Sequence, residues 1–143
     1  MKSLKISAAL VLLIALGTSC TSTKTAKTQN IKMVLHDIWA ATHINEEPIP
    51  TTENVPNLEI NVTEMKVFGT DGCNNYTGGI KNLTSENIAL GPLASTRKMC
   101  FNMDIPNKYN KALNKAVSYK RDNLNLYFYD SNRNKILSFK KVD

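Results

Sequence analysis

Leu58, Ile60 and Val62 alternate with Glu59, Asn61 and Thr63, the period of two that sets one side of a strand against a core and the other against water. Leu124, Leu126 and Phe128 repeat the pattern against Asn125, Tyr127 and Tyr129. Further strand candidates lie at Ile38 to Ile44, Met65 to Thr70, Thr77 to Leu83, Asn87 to Leu90 and Leu93 to Thr96. The turn-prone run DSNRNK after Tyr129 joins two apolar-containing stretches and predicts a C-terminal hairpin ending in Leu137 and Phe139. One segment has a helical period, with Tyr109, Leu113, Ala116 and Val117 on one side and Asp104 and Pro106 suited to its start. Seven or eight strands and one late helix predict an α+β domain, a curved, barrel-like antiparallel sheet with the helix before the C-terminal hairpin and covering an opening. No fixed repeat is visible, which argues against a solenoid or a propeller.

The first twenty residues follow a different pattern. Lys2 and Lys5 precede an eleven-residue apolar-or-small run from Ile6 to Leu16, and Gly17, Thr18 and Ser19 then lead to Cys20. That run is too short to cross a hydrocarbon core, which needs about 20 residues, but it fits the apolar region of an export signal. Small residues before a cysteine resemble the bacterial lipobox, where cleavage occurs before a cysteine that carries a diacylglycerol. Residues 1–19 are therefore expected to be a lipoprotein signal peptide, with Cys20 the lipidated first residue of the mature chain. The lipobox usually has Leu three residues before the cysteine; here Gly17 holds that place and Leu16 stands one earlier. An ordinary secretory signal with Cys20 as a bystander is the alternative. Several acyl chains would anchor the protein durably to a membrane.

Residues 20–32 read as a flexible tether, because TSTKTAKTQN from Thr21 to Asn30 has no apolar residue larger than Ala. Fully extended, those ten residues reach about 35 Å, and as a random coil nearer 17 Å. No acidic run follows Cys20, so a cell-envelope position on the outer membrane facing the periplasm is the expectation. The remaining residues, 33–143, form one domain, in keeping with a chain of 143 residues.

Composition adds little beyond this. With 42% apolar and 21% charged residues, neither a disordered tail nor a multispanning membrane protein fits. The net charge of +6 falls to +4 once Lys2 and Lys5 leave with the signal, a mild excess.

The middle of the chain carries a motif. Gly69, Gly72, Cys73, Asn74, Tyr76 and Gly78 stand in the order G-x-x-G-C-N-x-Y-x-G, and Thr96, Met99 and Cys100 follow a strand as T-x-x-M-C. Together with Trp39 near the domain start and the helix before the last hairpin, this resembles the META-domain family, to which the HslJ-like heat-shock lipoproteins belong. The resemblance spans roughly Leu35 to Phe139. Asn123 stands at a turn where the family commonly has Gly, and Lys98 where a small residue often precedes Met-Cys. Membership implies a small β-rich envelope domain linked to the stress response, with no established catalysis. In the residues themselves, Gly72, Gly78 and Gly79 suit positive φ or close backbone approach, and Asn74 and Asn75 suit bonds to nearby backbone. That reading is a self-bonded structural corner. The competing one is a backbone-lined ligand pocket, although no phosphate-cradling glycine motif is present.

With Cys20 acylated, Cys73 and Cys100 remain, and in an oxidising compartment an even pair is a disulfide candidate. The alternative is two buried free thiols. A Cys–His nucleophile using His36 or His43 lacks any activating motif. The two histidines are seven apart and would point to opposite faces of one strand, so they are not expected to chelate zinc together. Met99, Cys100 and Met103 offer soft sulfurs that suit Cu(I), but Met99 and Met103 are expected to fill core gaps. No metal and no cofactor are expected.

Lys108, Lys111, Lys115, Lys120 and Arg121 form a basic stripe, read first as a solvated face and otherwise as a surface for anionic lipid head groups or an acidic partner. Tyr127 and Tyr129 alternate away from Leu126 and Phe128, either as a recognition surface or as a second face packed by the helix. Asn61, Asn75 and Asn82 begin N-x-T sequons, relevant only to a eukaryotic secretory route. Nucleic-acid binding is not expected.

The functional expectation is a membrane-anchored, non-catalytic bacterial envelope lipoprotein, carrying palmitate or a similar acyl group, that acts in stress tolerance by binding or structural support. Its partners would be the membrane and an unidentified envelope protein or small ligand. The alternatives are a periplasmic thiol/redox or metal-dependent protein using Cys73 and Cys100, and an envelope ligand binder or inhibitor using the tyrosine-rich face.

Overall fold

In a computed structural model, which describes residues 30–31, 34–51 and 54–142, each alternating run becomes a strand with its apolar side turned inward, except that Leu124, at the head of the second run, falls in the turn before its strand and is exposed. The signal peptide, Cys20 and nearly all of the tether expected over residues 20–32 lie outside the described residues. The strands are β1 (Asp37–Ile44), β2 (Glu47–Pro48), β3 (Asn57–Asn61), β4 (Lys66–Thr70), β5 (Asn75–Leu83) and β6 (Ile88–Ser95). Helix α1 (Asp104–Leu113) follows, then β7 (Ser118–Asp122), β8 (Asn125–Tyr129) and β9 (Lys135–Lys141).

All pairings are antiparallel, in the order β6-β5-β4-β3-β1-β9-β8-β7, with the two-residue β2 paired to β1 alone. The expected curved sheet is thus an eight-strand path with a short extra hairpin arm. At one place its two edge strands come together: Asn87 bridges Ser118, Ile88 N donates to Val117 O at 3.2 Å, and Tyr119 N donates to Glu86 O at 2.7 Å. Elsewhere the edges are apart, and α1, which lies between β6 and β7 in sequence, packs on β1 and β9.

Leu58, Ile60, Val67, Leu126, Phe128, Leu137 and Phe139 fill the interior around Trp39. Trp39 is fully buried, donates its indole N–H to Leu35 O at 3.1 Å and lies under the Arg121 guanidinium, 5.7 Å from the ring centroid. Tyr109 brings α1 onto this core through an edge-on contact with Phe139.

Several expectations need correction. The separate candidates Asn87 to Leu90 and Leu93 to Thr96 are one strand, β6, whose register slips between the Gly78 and Ile80 positions of β5. That irregularity lets Gly91 and Pro92 pass within an edge strand, where the missing proline N–H removes no essential ladder bond. β7 was not expected at all, since SYKRD carries one inward aromatic, Tyr119, and otherwise polar residues.

The helix is shorter than its apolar spacing suggests. It ends at Leu113; Ala116 is buried beyond it, and Val117 is largely exposed while its backbone bonds Tyr129 O and Ile88 N. At the other end Asp104 lies in the first turn rather than capping it, and Asn102 Oδ1 accepts the Asp104 N–H at 2.9 Å. Finally, Met99 does not fill a core gap: it is 89% exposed. Asn123, by contrast, takes φ 50° at the β7–β8 turn, a conformation Asn tolerates in place of Gly.

Candidate functional site

The signature motif folds into the corner between β4 and β5. The Asp71 N–H donates to Asn74 O at 2.9 Å, closing a tight turn. Asp71, only 1% exposed, accepts Cys73 N at 2.8 Å and Asn74 N at 2.6 Å on Oδ1, and Asn110 Nδ2 of α1 at 2.7 Å on Oδ2. Gly72 takes φ +98° here, and a side chain at that position would also press on Asn54 O. Such an aspartate organising the next two amides is an Asx turn.

Asn74 does for the following loop what Asp71 does for the turn. Its buried amide accepts Lys98 N at 2.6 Å and the Thr96 hydroxyl at 2.9 Å, and donates to Lys98 O at 3.4 Å. Asn75 contributes backbone only, its C=O accepting Thr96 N at 3.0 Å and its N–H donating to Thr96 Oγ1 at 3.2 Å. The Cys73–Cys100 disulfide closes the arrangement with Cα atoms 6.0 Å apart. Cys100 lies in the loop after β6, not on the strand. Closing a loop of 27 residues contributes about 3 kcal/mol on chain-entropy grounds.

Tyr76 and Tyr109 form the corner's inner wall. Their hydroxyls are 2.8 Å apart, and that of Tyr76 donates to Asn57 O at 2.8 Å. Burial pushes both phenols well above their ordinary pKa; the nearby Asp71 carboxylate acts in the same direction on each. Both therefore stay protonated at physiological pH and act as hydrogen-bonding props. Gly69 faces them because a Cβ there would collide with Asn57 O and Tyr76 OH. Gly78 is similarly close to Leu93, whereas Gly79 has open space and no positive φ, so the close-approach expectation for Gly79 does not hold.

Eight of the nine motif residues thus serve one region, from Gly69 through Gly78 and from Thr96 to Cys100, while Met99 points away from it. Sequence reasoning missed Asp71 and Asn110. The signal for Asp71 was present in T-D-G after a strand, a turn-forming order; Asn110 carried none, because its contact spans 39 positions.

A concavity of about 380 Å³ lies on the outer face of β1, β9 and β8. His43, Ser138 and Tyr127 form one row across these three strands. A bulge in β1 between Ala41 and His43 turns Thr42 toward Ser138, whose C=O accepts its hydroxyl at 3.1 Å. His43 Nδ1 lies 3.0 Å from the same hydroxyl. Lys135 closes one side, 3.1 Å from Glu46 and 5.7 Å from the Tyr127 ring centroid. Tyr127 is therefore on an outer surface and not under the helix. His36 is remote from this row, accepting Val62 N at 3.2 Å before β1 begins.

A profile of the META domain matches residues 29–143. No curated protein matches the chain. Among solved structures, an NMR structure of a protein is similar at 20% identity, covering 77% of this chain and 92% of that one with a TM-score of 0.61. The NMR structure of a protein from Burkholderia xenovorans aligns at 16% identity over 90% and 94% of the two chains, TM-score 0.59. The crystal structure of a DUF4847 family protein from Bacteroides vulgatus aligns at 14% identity over 79% and 99%, TM-score 0.58. At such identities the likeness is one of fold. The profile match over most of the chain, with its motif residues gathered at a single disulfide-closed corner, places this chain in the META-domain family.

Proposed function

We propose that the chain is exported, cleaved before Cys20, acylated there and held at the bacterial envelope, on the outer membrane facing the periplasm. Its META domain acts in stress tolerance as a non-catalytic module, through binding or structural support. The observation that carries the non-catalytic reading is the corner itself. Its two sulfurs are bonded to each other, Asp71 and Asn74 are saturated by neighbouring donors and acceptors, and its buried phenols are held in their protonated forms. These groups tie β3, β4, β5, α1 and the 96–103 loop together and leave the corner no free nucleophile.

Support for the anchor comes from the leader and the small residues before Cys20. Labelling cells with radioactive palmitate tests it: label on the wild-type chain, absent from Cys20→Ala, is expected. A native chain with its leader intact or with a bare amino terminus would refute acylation. The module reading is tested by stress survival with a folded Cys73→Ser/Cys100→Ser variant at wild-type abundance. Retained survival is expected, and loss would favour the thiol/redox alternative.

The concavity beside Tyr127 favours a second reading, an envelope ligand binder or inhibitor working from the tyrosine-bearing outer face. Pull-down from envelope extracts with wild type and Tyr127→Ala tests it, and equal recovery by both would exclude that face.

A further inference from the structure

The 96–103 loop is built in an unusual way. Alternate positions are tied down: Thr96 and Lys98 by Asn74, Cys100 by Cys73, and Asn102 by the first amide of α1. Those ties fix the backbone without burying it, since every residue from Ala94 to Asn102 is exposed. Arg97 is exposed, Met99 is 89% exposed, and Phe101 is 110% exposed, as bare as in an extended peptide. A pinned backbone thus holds two large apolar side chains in water, with Phe101 beside a concavity of about 190 Å³ that Ile105 and Pro106 also line.

Two cations, Arg97 and Lys98, stand beside Met99 and Phe101 in the sequence. Arg97 and Lys98 make no ion pair among the described residues. Asp104 at the start of α1 is engaged by Lys108 at 3.0 Å, and Asp71 by the amides of the corner. Apolar and aromatic side chains beside unpaired cations match the boundary between acyl chains and anionic head groups.

We propose that this loop is a membrane-contact tip that inserts Met99 and Phe101 into the surface of an anionic phospholipid bilayer, with Arg97 and Lys98 on the head groups. The inference deepens the envelope reading above and rests on it for proximity. The chain enters the barrel beside Val62, at the end away from the corner. The longest strand, β5, has nine residues and spans about 30 Å, more than the tether's random-coil reach of about 17 Å but less than its full extension of about 35 Å. The tip can therefore touch the bilayer that carries the anchor.

The test uses the full chain with Phe101→Trp, mixed with phosphatidylcholine vesicles or with phosphatidylcholine–phosphatidylglycerol vesicles at lipid excess. The wild type, whose one indole at Trp39 is buried, supplies the background. In anionic vesicles the indole at position 101 is expected to emit further to the blue, to be quenched by acyl-brominated lipid and to be shielded from aqueous acrylamide. Arg97→Gln and Lys98→Gln should each weaken that shielding about fivefold. An indole that stays open to acrylamide and untouched by brominated lipid overturns the proposal. Shielding in native envelope fragments but not in vesicles of their extracted lipid overturns it in favour of a protein partner. Failure of the wild type to sediment with neutral vesicles refutes the anchor instead, and the tip is still judged on the anionic vesicles.

Discussion

Replacing Asp71 with Ala removes one side chain and strands three donors: Cys73 N, Asn74 N and Asn110 Nδ2. A buried donor left without a partner costs about 1–3 kcal/mol. Asn74 is almost fully buried, so its amide bears the upper part of that range; Cys73 and Asn110 are half-buried and regain water at lower cost. The sum is about 3 kcal/mol, a drop in Tm of about 12 °C for a domain of this size. Asp71→Asn should cost only about 1 kcal/mol, because its amide oxygen still accepts both backbone N–H groups and Asn110 can turn its own amide to face the new NH₂. Urea denaturation followed by Trp39 fluorescence, with the disulfide intact, measures both variants. An Asp71→Ala loss below about 1 kcal/mol, or equal losses for Ala and Asn, would show that Asp71 does not organise the corner.

Cys73→Ser/Cys100→Ser should lower stability by about 3 kcal/mol in the same denaturation assay, and the unreduced wild type should take up no thiol reagent by mass spectrometry. Gly69→Ala should cost more than about 2 kcal/mol, since Asn57 O and Tyr76 OH cannot withdraw, whereas Gly79→Ala, with open space, should stay within about 0.5 kcal/mol. Burial, with a smaller push from Glu86, raises the Tyr119 phenol to about 12, and its hydroxyl donates to Thr84 O. The unfolded phenol ionises near 10, so its contribution is complete below that pH and is lost as pH climbs toward 12. Alkaline thermal melts should show this decline, and Tyr119→Phe should make it shallower without abolishing it, because the buried phenols of Tyr76 and Tyr109 carry the same dependence.

The strands that alternate cleanly, β3 and β8, were legible because one face of each meets only the core. β7 was not, because an edge strand that buries Tyr119 and stacks Arg121 on Trp39 needs no run of aliphatic residues. Continuity of β6 was hidden by Gly91 and Pro92, which signal a turn in isolation and sit in a bulged edge here. At the site, the motif and the even cysteine count pointed to Cys73 and Cys100. The outward turn of Met99 could not be read, because sulfur and size mark a residue for a core whether or not its backbone is pinned elsewhere. The bulge that brings Thr42 beside Ser138 likewise depends on pairing with β9, a partner 96 positions away.

That same pairing sets the order of events in folding. Because β1 lies between β3 and β9, the earliest strand to be synthesised waits for the last before its second edge is covered. A growing polypeptide can assemble β3 to β6 by local hairpins, but it cannot shut the sheet until Lys135–Lys141 has emerged. Closure is then a single late event across nearly the full length of the domain, the kind of long-range step that makes β-rich proteins fold slowly.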